Sequence, residues 1–168
     1  MKVEELKSIQ APLKQQYKDE PEAAIITLSA RGQIGNGITC KVDTGKAIAE
    51  AGLHPATGGD GTSLCSGDML LEALVACAGV TLSAVATAIG VELKDATVIA
   101  EGELDFRGTL AVSKEAPVGF KSLRLAFELD TEASAGQIES LINLTERYCV
   151  VYQTLVNTPD IVVEKTQV

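Results

Sequence analysis

The stretch MLLEALVACAGVTLSAVATAIGV, residues 69–91, carries a single charge, Glu72, and is apolar on every side when wound as a helix. At about 1.5 Å rise per residue it is long enough to cross a bilayer. Three features argue instead for the buried axis of a globular domain: the run stands alone, small residues crowd it, and no Lys/Arg or aromatic anchors flank it. The surrounding chain fits that reading. It has 168 residues, 46% apolar and 22% charged, which suits one domain with one core. Aromatic residues make up 4% and Trp is absent, so the core is aliphatic.

Outward from the helix the pattern changes to strands. On the C-terminal side Val98, Ala100, Gly102, Leu104 and Phe106 alternate with Ile99, Glu101, Glu103 and Asp105, the period of a half-buried strand. Arg107-Gly108 predicts a turn, Thr109–Ser113 a short strand, and Leu123, Leu125, Phe127 and Leu129 a longer one. Ser134-Ala-Gly-Gln137 has the spacing of a capping box. It opens a helix whose stripe of Ile138, Leu141, Ile142 and Thr145 continues to Cys149 and Tyr152. Asp160–Lys165 reads as a closing strand. On the N-terminal side Ala23–Ala30 and Ile38–Thr44 read as strands around a turn at Gly32, Gly35, Asn36 and Gly37, followed by a long Gly-rich loop over 45–67. Residues 1–22 predict a helical arm broken at Pro12. Strands and helices in blocks make the fold class α+β.

Charge and side-chain inventory exclude several functions. The formal charge of −9 repels a phosphate backbone, and no Lys/Arg cluster offsets it, so nucleic-acid binding is not expected. The start, Met1-Lys2-Val3-Glu4-Glu5, lacks the apolar run of a signal peptide, which predicts a cytoplasmic protein without a membrane anchor. Four dispersed cysteines (Cys40, Cys65, Cys77, Cys149) and one histidine, His54, offer no metal-binding spacing, and no cofactor motif is present. Gly58-Gly-Asp-Gly-Thr62 lacks the lysine of a phosphate-binding loop. His54 reads as a solvated loop residue.

The thiols remain. Read alone, Cys77 is a small apolar core residue, as free cysteines usually are. A reactive thiol needs a cation or a helix N-terminus beside it. Nothing in its own helix supplies positive charge, so reactivity would require an arginine brought from elsewhere. Cys149, at the end of the second helical stripe, has the same two readings. Cys40 shares a strand face with Ile38 and Val42 and reads as core, and Cys65 as an exposed loop thiol.

Four segments together carry a resemblance. Leu70-Leu-Glu-Ala-Leu-Val-Ala-Cys77-Ala-Gly-Val-Thr-Leu82 resembles the central helix of the OsmC/Ohr family of thiol-dependent peroxidases. Glu146-Arg-Tyr-Cys149-Val-Val-Tyr-Gln-Thr-Leu155 resembles that family's second cysteine segment. Gly102-Glu-Leu-Asp-Phe-Arg-Gly-Thr109 and Gly119-Phe-Lys-Ser-Leu123 are similar to its strand segments. The likeness covers residues 23–168 in the family's order, and marks them as an OsmC-like domain behind the arm.

The resemblance implies two central helices packed on antiparallel sheets in an intertwined homodimer, with the active site at the subunit interface. It implies that Cys77 attacks an organic hydroperoxide to form a sulfenic acid. Cys149 then condenses with it to a disulfide, which an external dithiol, such as a lipoylated protein, reduces. Arg31, in Ala30-Arg31-Gly32, matches the family's activating arginine, placed in a turn after the first strand. The organic-hydroperoxide branch carries Asn-Pro-Glu where this chain has Cys65-Ser66-Gly67. Asp68 follows one residue later, where more distant members often carry an acid; it is read either as orienting the arginine or as serving the helix N-terminus through the macrodipole. Glu72, about 140° around the helix from Cys77, is expected at a rim or interface. The departure leaves an alternative open: an OsmC-like protein of weak catalysis that binds an apolar ligand or senses oxidants through its thiols.

Overall fold

The computed structural model describes residues 2–5, 8, 10–11, 19, 31–34, 39–43, 48–111 and 113–167, with side chains described in the arm and from Ala49 onward. Strands β1 (Arg31–Ile34), β2 (Thr39–Asp43) and β3 (Ile48–Gly52) form an antiparallel meander, to which β4 (Leu64–Cys65) adds parallel to β3. Helix α1 (Ser66–Ile89) follows directly. A long hairpin of β5 (Asp95–Leu104) and β6 (Phe120–Asp130) encloses the single-turn α2 (Phe106–Thr109). Helices α3 (Ala135–Tyr148) and α4 (Val150–Val156) follow, and a single 3-10 turn (Pro55–Thr57) lies between β3 and β4. The fold is α+β.

Local signals explain where these elements start and stop. The Ser134–Gln137 capping box forms as the spacing requires: Gln137 N–H donates to Ser134 Oγ at 3.4 Å, and Ser134 N–H donates to Gln137 Oε1 at 3.0 Å. Helix α1 ends at Gly90, whose φ of 73° suits glycine and turns its N–H onto the carbonyls of Ala86 and Thr87. In the hairpin Val98 pairs with Phe127 and Ala100 with Leu125, so one face is apolar as the alternation predicts.

That face packs on α1. Leu82, Val85 and Ala86 of α1, with Val91 and Leu141, form one buried cluster against Val98, Phe127 and Leu129. Leu74, Ala78 and Cys149 form a second, further toward the N-terminal end of α1. Fully burying each large aliphatic side chain is worth roughly 1.5–3 kcal/mol.

Helix α1 keeps an exposed side within this chain: Val80 is 73% exposed and Leu70 and Ile89 are also exposed. The hairpin, α3 and α4 pack on its other side, and Gln10 of the arm comes beside Val80 and Ile89. Several expectations are corrected. The loop over 45–67 contains β3 and β4; alanine and glycine dominate there and hide the strand signal. Gly32 and Arg31 lie in β1 rather than in a turn, while Ala23–Ala30 and 35–38 are outside the described residues. Thr109, Leu110, Ala111 and Ser113 form no strand. Asp105 caps α2 by accepting from Arg107 N–H and pairs with its guanidinium. The chain then folds back so closely on Pro117 that only a glycine fits at Gly108. Asp160–Lys165 forms no strand; Ile161, Val162 and Val163 are more than four-fifths exposed. In the arm, residues 3–5, 8, 10 and 11 are helical.

Candidate active site

Cys77 stands mid-way along α1, and Cys149 is the hinge residue between α3 and α4. The structure brings them together. Both belong to one apolar cluster with Leu74, Ala78 and Tyr152, floored by Val98, Ala100, Leu125 and Phe127 of the hairpin. Cys149 is 1% exposed and Cys77 half-buried, so only one of the two thiols is open to a substrate.

The local backbone explains their environment. Cys149 is extended (φ −74°, ψ 108°), closing α3 through its N–H to Thr145 O and opening α4 through its carbonyl to Gln153 N–H, both 2.9 Å. The β-branched pair Val150-Val151 after it lowers helix propensity at the junction. The break leaves the N–H groups at the start of α4 without helical acceptors, and α4 packs its Val151 and Tyr152 into the cluster that holds both thiols. Burial raises the Cys77 pKa, but the amides of Val151 and Val150, the Cys149 thiol and the Thr81 hydroxyl outweigh it and hold it below the ordinary thiol range. Cys149 moves the other way: burial and the neighbouring Cys77 charge push its pKa up against the amides of Tyr152 and Val151.

The two thiols are thus set apart, Cys77 toward thiolate and Cys149 toward thiol. Alkylation by iodoacetamide, followed at each peptide as a function of pH, should therefore reach its half-maximal rate at lower pH for Cys77 than for Cys149. The reverse order would contradict the assignment. The donors at Cys77 are peptide amides from α4, a source that its own helix could not reveal.

The family model for OsmC-like protein matches residues 59–164, which include both cysteines. The chain belongs to the OsmC-like family. No curated protein matches it. Among solved structures, an OsmC-like protein from Mycoplasma pneumoniae superposes with a TM-score of 0.67 at 14% identity, covering 79% of this chain and 89% of that one. An organic hydroperoxide resistance protein OsmC from Legionella pneumophila gives 0.62 at 18% identity, covering 80% and 92%. An organic hydroperoxide resistance protein from Elizabethkingia anophelis gives 0.64 at 15% identity, covering 80% and 91%. At these identities the likeness is one of fold.

The other residues marked in this OsmC-like chain fall elsewhere. Asp68 lies in the first turn of α1, exposed, where its charge favours the helix dipole. Nine positions before Cys77, it is about 180° around the helix and some 13 Å along it, so within one chain it faces away from the thiol. Arg31 opens β1 with its backbone opposite Asp43; its side chain is outside the described residues, as is that of Cys40. Glu72 is exposed.

His54 is not a solvated loop residue. Its Nδ1 accepts from Ala56 N–H at 3.0 Å, and its ring stacks on Phe106 with centroids 5.0 Å apart. With half-buried Cys65 it lines a cavity of about 330 Å³ beside the start of α1. Among the described residues no group of three His, Cys, Asp or Glu side chains could hold a metal ion.

Proposed function

We propose that the protein is a thiol peroxidase that reduces organic hydroperoxides with electrons from an external dithiol. The observation that carries this is the pairing of a half-buried, thiolate-prone Cys77 with a buried, proton-retaining Cys149 in one apolar cluster. The Cys77 thiolate attacks the distal oxygen of ROOH. The S–O bond forms as O–O breaks, and the alkoxide leaves with a proton as ROH. Cys149 then gives its thiol proton to the departing oxygen of the Cys77 sulfenic acid, releasing water and forming the Cys77–Cys149 disulfide. A dithiol reduces that disulfide by exchange and is itself oxidised to a disulfide. The sum is ROOH plus dithiol to ROH, water and disulfide.

The surroundings favour an apolar R group. Leu74, Ala100, Leu125 and Phe127 form an apolar floor, and burial of Cys149 keeps the resolving thiol from water and from stray oxidant until the sulfenic acid is made beside it.

The working form is a homodimer in the cytoplasm. The exposed face of α1, with a groove of about 630 Å³ lined by Gln10 of the arm and by Val80, Ala84, Ala88, Ile89 and Tyr148, is the surface a second subunit covers. In that assembly Arg31 and Asp68 act at the Cys77 of the partner: the guanidinium orients the peroxide oxygen by fixed donors and the carboxylate orients the guanidinium.

Steady consumption of cumene hydroperoxide with dihydrolipoamide tests the reading, with many equivalents reduced per chain expected. Oxidation that stops after one equivalent would favour a thiol sensor. That reading is favoured by Gly67 standing where the hydroperoxide branch has its glutamate. No oxidation at all would favour an apolar-ligand binder.

A further inference from the structure

In an unbroken helix the amides of Val150, Val151 and Tyr152 would donate to the carbonyls four residues back, those of Glu146, Arg147 and Tyr148. The extended Cys149 prevents this, and α4 packs Val151 and Tyr152 into the cluster that holds both thiols, so the freed amides at its start face sulfur rather than a carbonyl. The Glu146 carbonyl, left without Val150, accepts from Gln153 Nε2 at 2.9 Å. A side chain has taken the place of a backbone donor.

Gln153 is well fixed for that task. Its own N–H donates to the Cys149 carbonyl at 2.9 Å, and its Oε1 accepts from Asn157 Nδ2 at 3.0 Å, which leaves Nε2 aimed at Glu146. Tyr152 adds a second, longer tie, its hydroxyl 3.5 Å from Glu146 Oε2.

We propose that Gln153 is a positioning residue for Cys77: by occupying the Glu146 carbonyl it holds the α3–α4 break open and keeps the Val150 and Val151 amides on the Cys77 sulfur. The inference rests on Cys77 being the reacting thiol. Without the Gln153 amide the Val150 N–H is free to return to Glu146 O, which extends α3 through Cys149 and draws donors away from Cys77. Sequence spacing is informative here. Glu146 and Gln153 are seven apart, two turns of a continuous helix and too far for this bond, so the contact exists only because the helix is broken.

The test uses the full chain with Gln153→Met, which keeps side-chain length and removes the donor. Iodoacetamide rates at Cys77 are read across the thiol range after Glu-C cleavage, which at Glu72 separates Cys77 from Cys65. The expected result is a Cys77 midpoint moved to higher pH and a roughly tenfold slower rate at neutral pH, the effect of losing one charge-assisted donor. The Cys65 profile should stay unchanged. A merely structural role would lower the unfolding temperature without moving the profile, and an unchanged Cys77 profile in folded Gln153→Met overturns the proposal.

Should that variant not fold, the wild-type chain decides by NMR. The Val150 and Val151 amide protons should shift with the Cys77 midpoint, and amides that ignore the titration overturn the proposal equally. Neither readout uses peroxide. A chain that consumes none yet shows the shift supports Gln153 while refuting the peroxidase reading.

Discussion

Cys77→Ser is expected to abolish dithiol-dependent hydroperoxide consumption, a fall on the order of a thousandfold or more, to the rate of the buffer alone. The reason is chemical rather than structural. The half-buried position and its donors, the amides of Val150 and Val151, accept a hydroxyl as readily as a thiol. A serine hydroxyl, however, stays protonated at neutral pH and has neither the nucleophilicity nor the polarizability to attack an O–O bond. The variant should therefore fold and melt like the wild type. Cys149→Ser should behave differently, consuming one equivalent rapidly and a second more slowly as further hydroperoxide oxidises the unresolved sulfenic acid to sulfinic acid, and then stalling. Turnover retained in Cys77→Ser would remove the thiol mechanism altogether.

Val80→Asp is expected to have the largest effect on assembly. In the isolated chain Val80 is 73% exposed, and a surface substitution of that kind changes stability by about 0.5 kcal/mol or less. If a second subunit covers the face, the same carboxylate is buried without a partner, at a cost of several kcal/mol. The two-fold axis of a homodimer repeats the cost in both subunits. Light scattering should show dimers for the wild type and a shift to monomers or loss of soluble protein for the variant. A wild type that stays monomeric and folded at micromolar concentration would contradict the dimer, and with it the contribution of Arg31 and Asp68 across the interface.

Much of the fold is legible because local and global signals agree in it. The Ser134–Gln137 box, the Val98–Leu104 alternation and the run over 69–91 each point to the element found. The misses have physical causes. β3 (Ile48–Gly52) is built from alanine and glycine around Glu50, where neither period nor propensity speaks. Thr109–Ser113 has strand-like residues, but the Asp105 cap and the close approach at Gly108 commit the chain to a turn first. Ile161–Val163 has a strand's composition, yet pairing needs an edge, and sequence period cannot say which edge, or whose.

The site divides in the same way. Cys77 and Cys149 were singled out by the resemblance of their segments, because spacing alone does not bring two helices together. The resemblance assigns the positive potential at Cys77 to Arg31, whose side chain lies outside the described residues; among the described residues the donors beside the thiol are peptide amides of α4. A signal for them was present: two β-branched valines directly after Cys149 weaken the helix at the point where the freed amides face sulfur. What those amides face depends on how α4 packs against α1, which is tertiary information.

The central claim is that Cys77 and Cys149 react as a pair. It is tested most directly by treating the reduced chain with one equivalent of cumene hydroperoxide and mapping its disulfides by peptide mass spectrometry. The account predicts one new bond, joining the peptide that follows Glu72 to the peptide containing Cys149, formed within one chain and reversed by dihydrolipoamide, with Cys65 still a free thiol. A disulfide through Cys65, a bond between chains, or a Cys77 that stays reduced after the peroxide is gone would contradict it.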